Sequence, residues 1–277
     1  MHTIPQAYSV DGQAGIINPE GMQGSKLSLD MLVVYCARQL LHNAVKAVQN
    51  VGLEIMDVAF SGLCSALALL TPEQKECGVA LLDLGAGTTS YVVYTRGTLA
   101  AAGVLAVGSD HIMNDIALGF GVSLKRSELL KRESGSALLD PSVHFQQIGV
   151  PPELGFAACS VAVADLNAVI NARVDETLQM LRQEFEKKNL MHQLGAGIVL
   201  AGGGACLRGL ETLVERVFEM PCVIGKPRNF SGVSTVHEGP AYAALLGMLR
   251  YALQSGYQAE EVVSLSGLFR RWFGRRE

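Results

Sequence analysis

Val79-Ala80-Leu81-Leu82-Asp83-Leu84-Gly85-Ala86-Gly87-Thr88-Thr89 is the stretch on which the reading of this chain turns. Its apolar opening, Val79 to Leu82, reads as a buried strand that delivers one acidic side chain, Asp83, to its carboxyl end. Gly85 and Gly87 form a glycine hairpin, and Tyr91-Val92-Val93-Tyr94 leads away as a second strand. Without Cβ atoms, Gly85 and Gly87 let backbone N–H groups approach an anion closely. The hydroxyls of Thr88 and Thr89 can add donors to phosphate oxygens. Asp83 cannot bind phosphate, but it can hold a water on Mg²⁺. The same residues would also make an ordinary β-hairpin with a glycine turn.

A second stretch weighs against the plain hairpin. Ile198-Val199-Leu200-Ala201-Gly202-Gly203-Gly204 is again a buried strand running into glycines, with a helix expected over Cys206 to Phe218. Strand, glycine turn and helix form a common nucleotide cradle, with the backbone meeting the ligand at the strand's carboxyl end. One glycine triplet is a weak signal. Two such turns, about 115 residues apart, are a much stronger one.

These residues carry a resemblance. Asp83 to Thr89 is similar to the second phosphate loop of the actin/Hsp70/sugar-kinase superfamily, and Ile198 to Gly209 to its adenosine motif. Gly108-Ser109-Asp110, Asp115-Ile116-Ala117, Ser127-Glu128 and Lys131 resemble its ribose-holding segment. The opening His2-Thr3-Ile4-Pro5-Gln6, Asp11-Gly12-Gln13 and Asn18-Pro19-Glu20-Gly21-Met22-Gln23-Gly24 closely resembles the FtsA family of actin-like bacterial cell-division proteins.

The resemblance implies an α/β fold, an actin-like (ribonuclease H-like) ATPase domain with the first large subdomain mostly missing. It implies an SHS2-type α+β subdomain over 1–53 and a remnant of the first large subdomain over 54–76. The second large subdomain would follow in two parts, 77–108 and 162–254, around a smaller fourth subdomain at 109–161. ATP and Mg²⁺ are the implied cofactors. Asp83, Gly85, Gly87, Thr88, Thr89, Gly202, Gly203 and Gly204 would hold phosphates and adenosine, Glu128 and Lys131 the ribose and adenine, and Asp83 a metal-bound water.

Several positions depart from the family pattern. Ala86 stands where the family has Gly, Ser90 where it has Asp, and Met113 where it commonly has Thr. Ala can replace Gly only where φ is negative. Nothing here matches the family's first phosphate loop. Losing two charge-assisted contacts would cost ~3–6 kcal/mol, so a micromolar ATP site would fall towards millimolar. An open reading frame upstream of Met1 that encoded such a loop would mark the chain as the carboxyl part of a longer protein.

The implied role is a membrane-tethered scaffold with at most weak ATPase activity. It would join filaments of the tubulin-like protein FtsZ to the cytoplasmic side of the inner membrane at the division site, associate with itself and recruit later division membrane proteins. Two alternatives share the superfamily: a related pilus-assembly adaptor ATPase and a sugar-kinase-type phosphotransferase. The second would need a catalytic carboxylate and a sugar pocket between two large domains. The basic tail argues against the first.

Bulk composition agrees with an apolar-cored body. The chain has 277 residues, 49% hydrophobic, with a net charge of −4. No global basic field points to nucleic acid. Residues 265–277 carry four arginines and one glutamate, net +3, against −7 for the remainder. The six cysteines include no Cys-x-x-Cys pair and read mostly as core thiols of a reducing compartment. No apolar run approaches the roughly 18 residues of a membrane span.

Taken in order, Leu29 to Tyr35 reads as a strand, and Leu40, Leu41, Ala44, Val45 and Val48 mark a helix ending near Gly52. Ile55 to Phe60 reads as a strand, exposed as an edge and prone to self-association. A short helix runs from Gly62 to Leu70, and Thr71-Pro72-Glu73-Gln74 has the form of a capped helix start. Pro141 to Gly155 reads as loop or edge. Leu166, Val169, Ile170, Val174, Leu178, Leu181 and Phe185 form one apolar stripe on a helix over 163–189, read as core packing. A strand at Cys222 to Gly225 and a helix from Pro240 to Leu253 close the body.

A polar linker, 255–264, leads to an amphipathic helix over 265–277. Leu265, Leu268, Phe269, Trp272 and Phe273 share one face, while Arg270 and Arg271 point away from it. Such a face, with the chain's only Trp upon it, suits insertion into a membrane surface. Docking on the body or on a partner is the alternative. Deleting 265–277, or changing Trp272 and Phe273 to Asp, should release the chain from anionic liposomes in co-sedimentation. Arg270→Glu with Arg271→Glu should do so mainly at low salt, where screening is least. Pelleting that survives the deletion would exclude the tail as the anchor.

Overall fold

The computed structural model describes residues 2–16, 18–231 and 239–254. The expected linker and amphipathic tail lie outside them.

Three antiparallel strands begin the chain: β1 (His2–Val10), β2 (Gln13–Ile16) and β3 (Leu27–Val34), in the order β2-β1-β3. Asp11 and Gly12, both at positive φ, make the β1–β2 turn, as Asp-Gly does in two-residue hairpins. The Asp11 carboxylate accepts the backbone N–H groups of Ser25 and Lys26 and ties the next loop back. Helix α1 (Arg38–Asn50) follows with the expected spacing, but no residue of it is buried.

Residues 53–60, read as containing a strand, form none. The segment has no ladder partner. Phe60 N–H donates to His2 Nε2 at 3.0 Å, and Asp57 accepts from the Tyr251 hydroxyl at 2.8 Å. Side-chain anchors on two other elements replace the sheet pairing, and the strand edge invoked for self-association is absent.

Helix α2 (Ser61–Leu69) and helix α3 (Pro72–Cys77) come next. Thr71 caps α3 through a reciprocal box with Gln74, with bonds of 3.2 and 3.0 Å. The main sheet then opens with β4 (Val79–Leu84), β5 (Thr89–Thr95) and β6 (Thr98–Leu105). Helices α4 (Ser109–Phe120) and α5 (Leu124–Glu133) follow, then the antiparallel pair β7 (Gln147–Val150) and β8 (Cys159–Ala162). Helix α6 (Val163–Lys187), β9 (Ile198–Ala201), α7 (Leu210–Phe218), β10 (Cys222–Ile224) and α8 (Ala243–Gln254) complete the described chain.

The main sheet has the order β10-β9-β4-β5-β6, with β10, β9 and β4 parallel and β4, β5 and β6 antiparallel. Strand alternation divides it between two cores. Ala80, Leu82 and Leu84 face α6 and α7, where Leu166, Ile170, Leu178, Leu181 and Phe185 are fully buried. Val79 and Leu81 face the other way, against α2 and α8. The apolar stripe read on α6 is thus core, and its companion Val169 packs at the margin.

Two further expectations are corrected. The helix after the glycine turn starts at Leu210 rather than Cys206, because residues 203–206 close a 3-10 turn and Gly209 adopts a left-handed conformation. Of the cysteines, only Cys64 and Cys222 are buried, while Cys36, Cys77 and Cys206 are exposed. An apolar sequence neighbourhood does not place a side chain's own face inward.

Helices α2 and α8 cross at contact distance. A Cβ on Gly247 would stand 1.6 Å from the Cys64 carbonyl oxygen. Arg250, one turn on, donates to the carbonyls of Leu67 and Arg228 at 2.5 and 2.6 Å. Gly247→Ala should therefore lower stability by about 1–3 kcal/mol in urea unfolding, the scale of core overpacking, despite alanine's better helix propensity. An increase in stability would show that the crossing can open without loss.

Candidate functional site

The β4–β5 hairpin closes where Gly85 N–H donates to the Thr88 carbonyl at 2.9 Å. Its outer carbonyls are then used by α4: Ser109 N–H donates to Gly85 O at 3.0 Å and Asp110 N–H to Ala86 O at 2.8 Å. Gly108 permits this docking, since a Cβ there would lie 2.3 Å from Ala86 O. Ala86 itself has no positive φ, so the alanine is accommodated. From the other side comes the turn after β9. Gly202 has φ +82 and would place a Cβ 2.4 Å from Leu84 O. Hairpin, α4 start and glycine turn therefore meet at van der Waals distance.

Beside that junction lies a cavity of about 700 Å³. One wall is α4 and α5, with Asp110, Met113, Glu128, Lys131 and Arg132. The opposite wall is the glycine turn, with Gly203, Gly204, Cys206, Leu207 and Arg208. Val174, Thr177 and Leu178 of α6 form a mostly apolar floor, and Leu84 to Ala86 with Thr89 close one end. Arg208 straps the walls together. Its guanidinium donates to the Glu133 carbonyl on α5, and its own carbonyl accepts from Ala137 N–H at 2.8 Å.

Of the residues singled out by sequence, Gly85, Thr89, Glu128, Lys131, Gly203 and Gly204 line the cavity. Gly87 and Thr88 sit exposed at the hairpin tip, and Gly202 is buried beneath the turn. The Thr89 hydroxyl is already committed to the Val107 carbonyl at 2.8 Å. Glu128 and Lys131 pair with each other at 2.5 Å, with Lys131 only 12% exposed. Asp115, quoted for the ribose segment, instead forks with Arg173 of α6 at 2.5 and 3.0 Å and locks α4 to α6.

Asp83 stands apart from the cavity lining. By strand alternation it shares the α2 side of the sheet with Val79 and Leu81, and its Oδ2 accepts from the Ser65 hydroxyl at 2.6 Å. Arg132, Arg208 and the α6 floor escaped the sequence reading. Thr177, a buried hydroxyl beside Leu178 on the core helix, was the available signal for the floor.

Gly203 on the cavity wall and Gly87 at the hairpin tip beside it bear on whether the site fits a ligand. Neither Gly87 nor Gly203 has a positive φ, and a Cβ on either would meet nothing within 4 Å. The fold does not require glycine at these positions, whereas close approach of a ligand to the backbone would.

Burial raises the Asp83 carboxyl above its ordinary value of 3.8, while the Ser65 hydrogen bond pulls it down. A carboxyl raised by folding loses stability as pH climbs from the unfolded value through the folded one, and the penalty is complete above it. Asp83→Asn should therefore be more stable than the parent at pH 7, with the difference closing as pH falls below 3.8. Urea unfolding of both proteins at pH 7 and pH 3.5 checks this; a constant difference would contradict it.

The comparisons with known proteins agree with this architecture. The family described as "Cell division protein FtsA" matches residues 80–247, and the "SHS2 domain inserted in FTSA" matches residues 1–35. The cell division protein FtsA of Escherichia coli strain K12 is 33% identical over 270 residues, 95% of this chain and 64% of its own length. FtsA of Pseudomonas aeruginosa is also 33% identical, over 92% of this chain and 61% of its own. The chain thus spans a little under two thirds of these relatives.

Among solved structures, MreB5 of Spiroplasma citri bound to ADP superposes with a TM-score of 0.62 at 18% identity, over 79% of this chain and 67% of its own. The PilM-PilN type IV pilus biogenesis complex gives 0.59 at 19%, over 90% of this chain and 66% of its own. At such identities these likenesses show the fold, which is actin-like. Among the described residues, no helix is long and apolar enough to cross a membrane. With a family match over well more than half its residues, the chain belongs to the FtsA family of actin-like cell-division proteins.

Proposed function

We propose that the chain binds Mg-ATP at the cavity and acts as a membrane-tethered scaffold of cell division. The observation that carries the nucleotide part is the pair of open glycines, Gly87 and Gly203, whose conformations need no glycine. They sit at the hairpin tip and on the cavity wall, beside backbone suited to phosphate oxygens.

The hairpin from Gly85 to Thr88 and the turn from Gly202 to Gly204 would hold the phosphates and their ribose end. Glu128 and Lys131 would bind ribose hydroxyls and the adenine edge, exchanging their mutual ion pair for ligand contacts. Asp83 would hold a water of the phosphate-bound Mg²⁺, whose charge neutralises the phosphates.

The rest of the reading follows the family. The partners would be FtsZ filaments, the inner-membrane surface, a second copy of the chain and later division membrane proteins. The place would be the cytoplasmic face of the membrane at the division site. A pilus-assembly adaptor is the second reading, supported by likeness of fold to the PilM complex. The basic amphipathic segment at 265–277 favours the first.

Titration with ATP to millimolar concentration should shift amide resonances of Gly85, Thr88 and Gly203. Gly203→Ala, whose added Cβ meets nothing within 4 Å, should keep the fold and weaken binding about tenfold or more, at least one charge-assisted contact's worth. Unchanged shifts in that variant would remove the nucleotide reading. Anionic vesicles should retain FtsZ filaments only when the chain is present; capture without it would remove the tether.

A further inference from the structure

Asp83 is held by neighbours that lie outside the cavity. The Ser65 hydroxyl on α2 donates to Asp83 Oδ2 at 2.6 Å, and Ser65 is 0% exposed. A hydrogen bond to an ionised carboxylate is shorter and stronger than a neutral one, and a fully buried hydroxyl has no water to turn to. The second oxygen, Oδ1, faces the glycine turn, where a Cβ on Gly202 would lie 2.6 Å from it. Any side chain at 202 would cover the oxygen that Ser65 does not hold.

The carboxylate needs such a partner. The terminal torsion of an aspartate is broad and nearly two-fold, so the strand alone does not decide which oxygen points where. Helix α2 can come close enough to decide it because of its small residues: Gly62 packs against Phe60 and Val92, and Ala66 is fully buried. The tight crossing at Gly247 of α8 fixes α2 from behind.

We propose that Ser65 is a positioning residue for metal-linked nucleotide binding: by holding Asp83 Oδ2 it fixes the carboxylate's rotation and leaves Oδ1 to meet a water of a phosphate-bound divalent cation. The inference rests on the nucleotide reading of the cavity and extends it to a helix that does not line the cavity. Removing a hydrogen bond that orients a carboxylate towards a metal typically costs about 10- to 100-fold in metal affinity. A hydroxyl that only satisfied a buried carboxylate would affect folding stability and leave the cation's effect on binding untouched.

The test is ATP affinity of the full chain, with EDTA and with Mn²⁺, read by amide shifts and by Mn²⁺ broadening at Gly85 and Thr88. Ser65→Ala should reduce the Mn²⁺-dependent gain in affinity about tenfold while changing affinity in EDTA by less than about twofold, the scale expected for a lost orienting bond. In an Asp83→Ala background Ser65→Ala should add nothing further. Ser65→Cys, of similar size and a weaker donor, should fall between, and it serves if the alanine variant folds poorly. An undiminished Mn²⁺ gain in Ser65→Ala overturns the inference, as does an equal loss in EDTA. A parent chain that binds ATP but gains nothing from Mn²⁺ also overturns it, alone. A parent that binds no ATP under either condition removes the cavity reading and this inference together.

Discussion

Strand β4 is buried on both faces, and most of the described structure follows from that constraint. Ala80, Leu82 and Leu84 feed one core, and Val79 and Leu81 feed the other. A strand in that position must be central and must be covered on both sides. The sheet supplies the first condition, with β9 on one edge of β4 and β5 on the other. Helices α6 and α7 cover one face, and α2 and α8 the other. Asp83 is the one charged side chain in the strand, near its end, where burial gives way to turns.

Those turns divide the site between the two faces of the sheet. On the α6 side, the hairpin, the start of α4 and the turn after β9 enclose the cavity. On the α2 side, Asp83 is clasped by Ser65. Contact between the two halves runs through backbone, where Gly202 lies against both Leu84 O and Asp83 Oδ1. A side chain at that one position would separate them. Glycine therefore serves two ends here: at 108 and 202 it lets the fold close, while at 87 and 203 it leaves backbone open.

The cavity's outer wall is not free to drift. Arg173 of α6 grips Asp115 of α4 with two bonds. Asn167 of α6, nearly fully buried, accepts from Ser136 N–H at 2.8 Å, and Asn171 donates to the Ala137 carbonyl at 2.6 Å. These polar contacts reach the loop just beyond α5, the helix that carries Glu128 and Lys131. A helix that reads in sequence as an apolar stripe is thus also the mount for the ligand wall. Its stripe holds it to the sheet, and its polar flank holds the wall to it.

Much of this was legible in the residues themselves. The apolar run at Val79 to Leu82, the alternation of β5, the α6 stripe and the Thr71–Gln74 box are local patterns whose physics lies within a few residues. They determined element types and, with the glycine turns, the kind of cradle the fold would offer. What sequence could not determine was which faces and ends meet. Ile55 to Phe60 has a strand's composition, but a ladder needs a partner, and the segment is anchored instead by His2 and Tyr251. Asp83 lies beside its glycines in sequence, yet the two-residue period of a strand turns it to the face opposite the cavity, towards a serine 18 residues earlier. Arg208 and Thr177 join the site only because α6 and the glycine turn are brought against α5. Local pattern decided what each element is; long-range packing decided what each side chain touches.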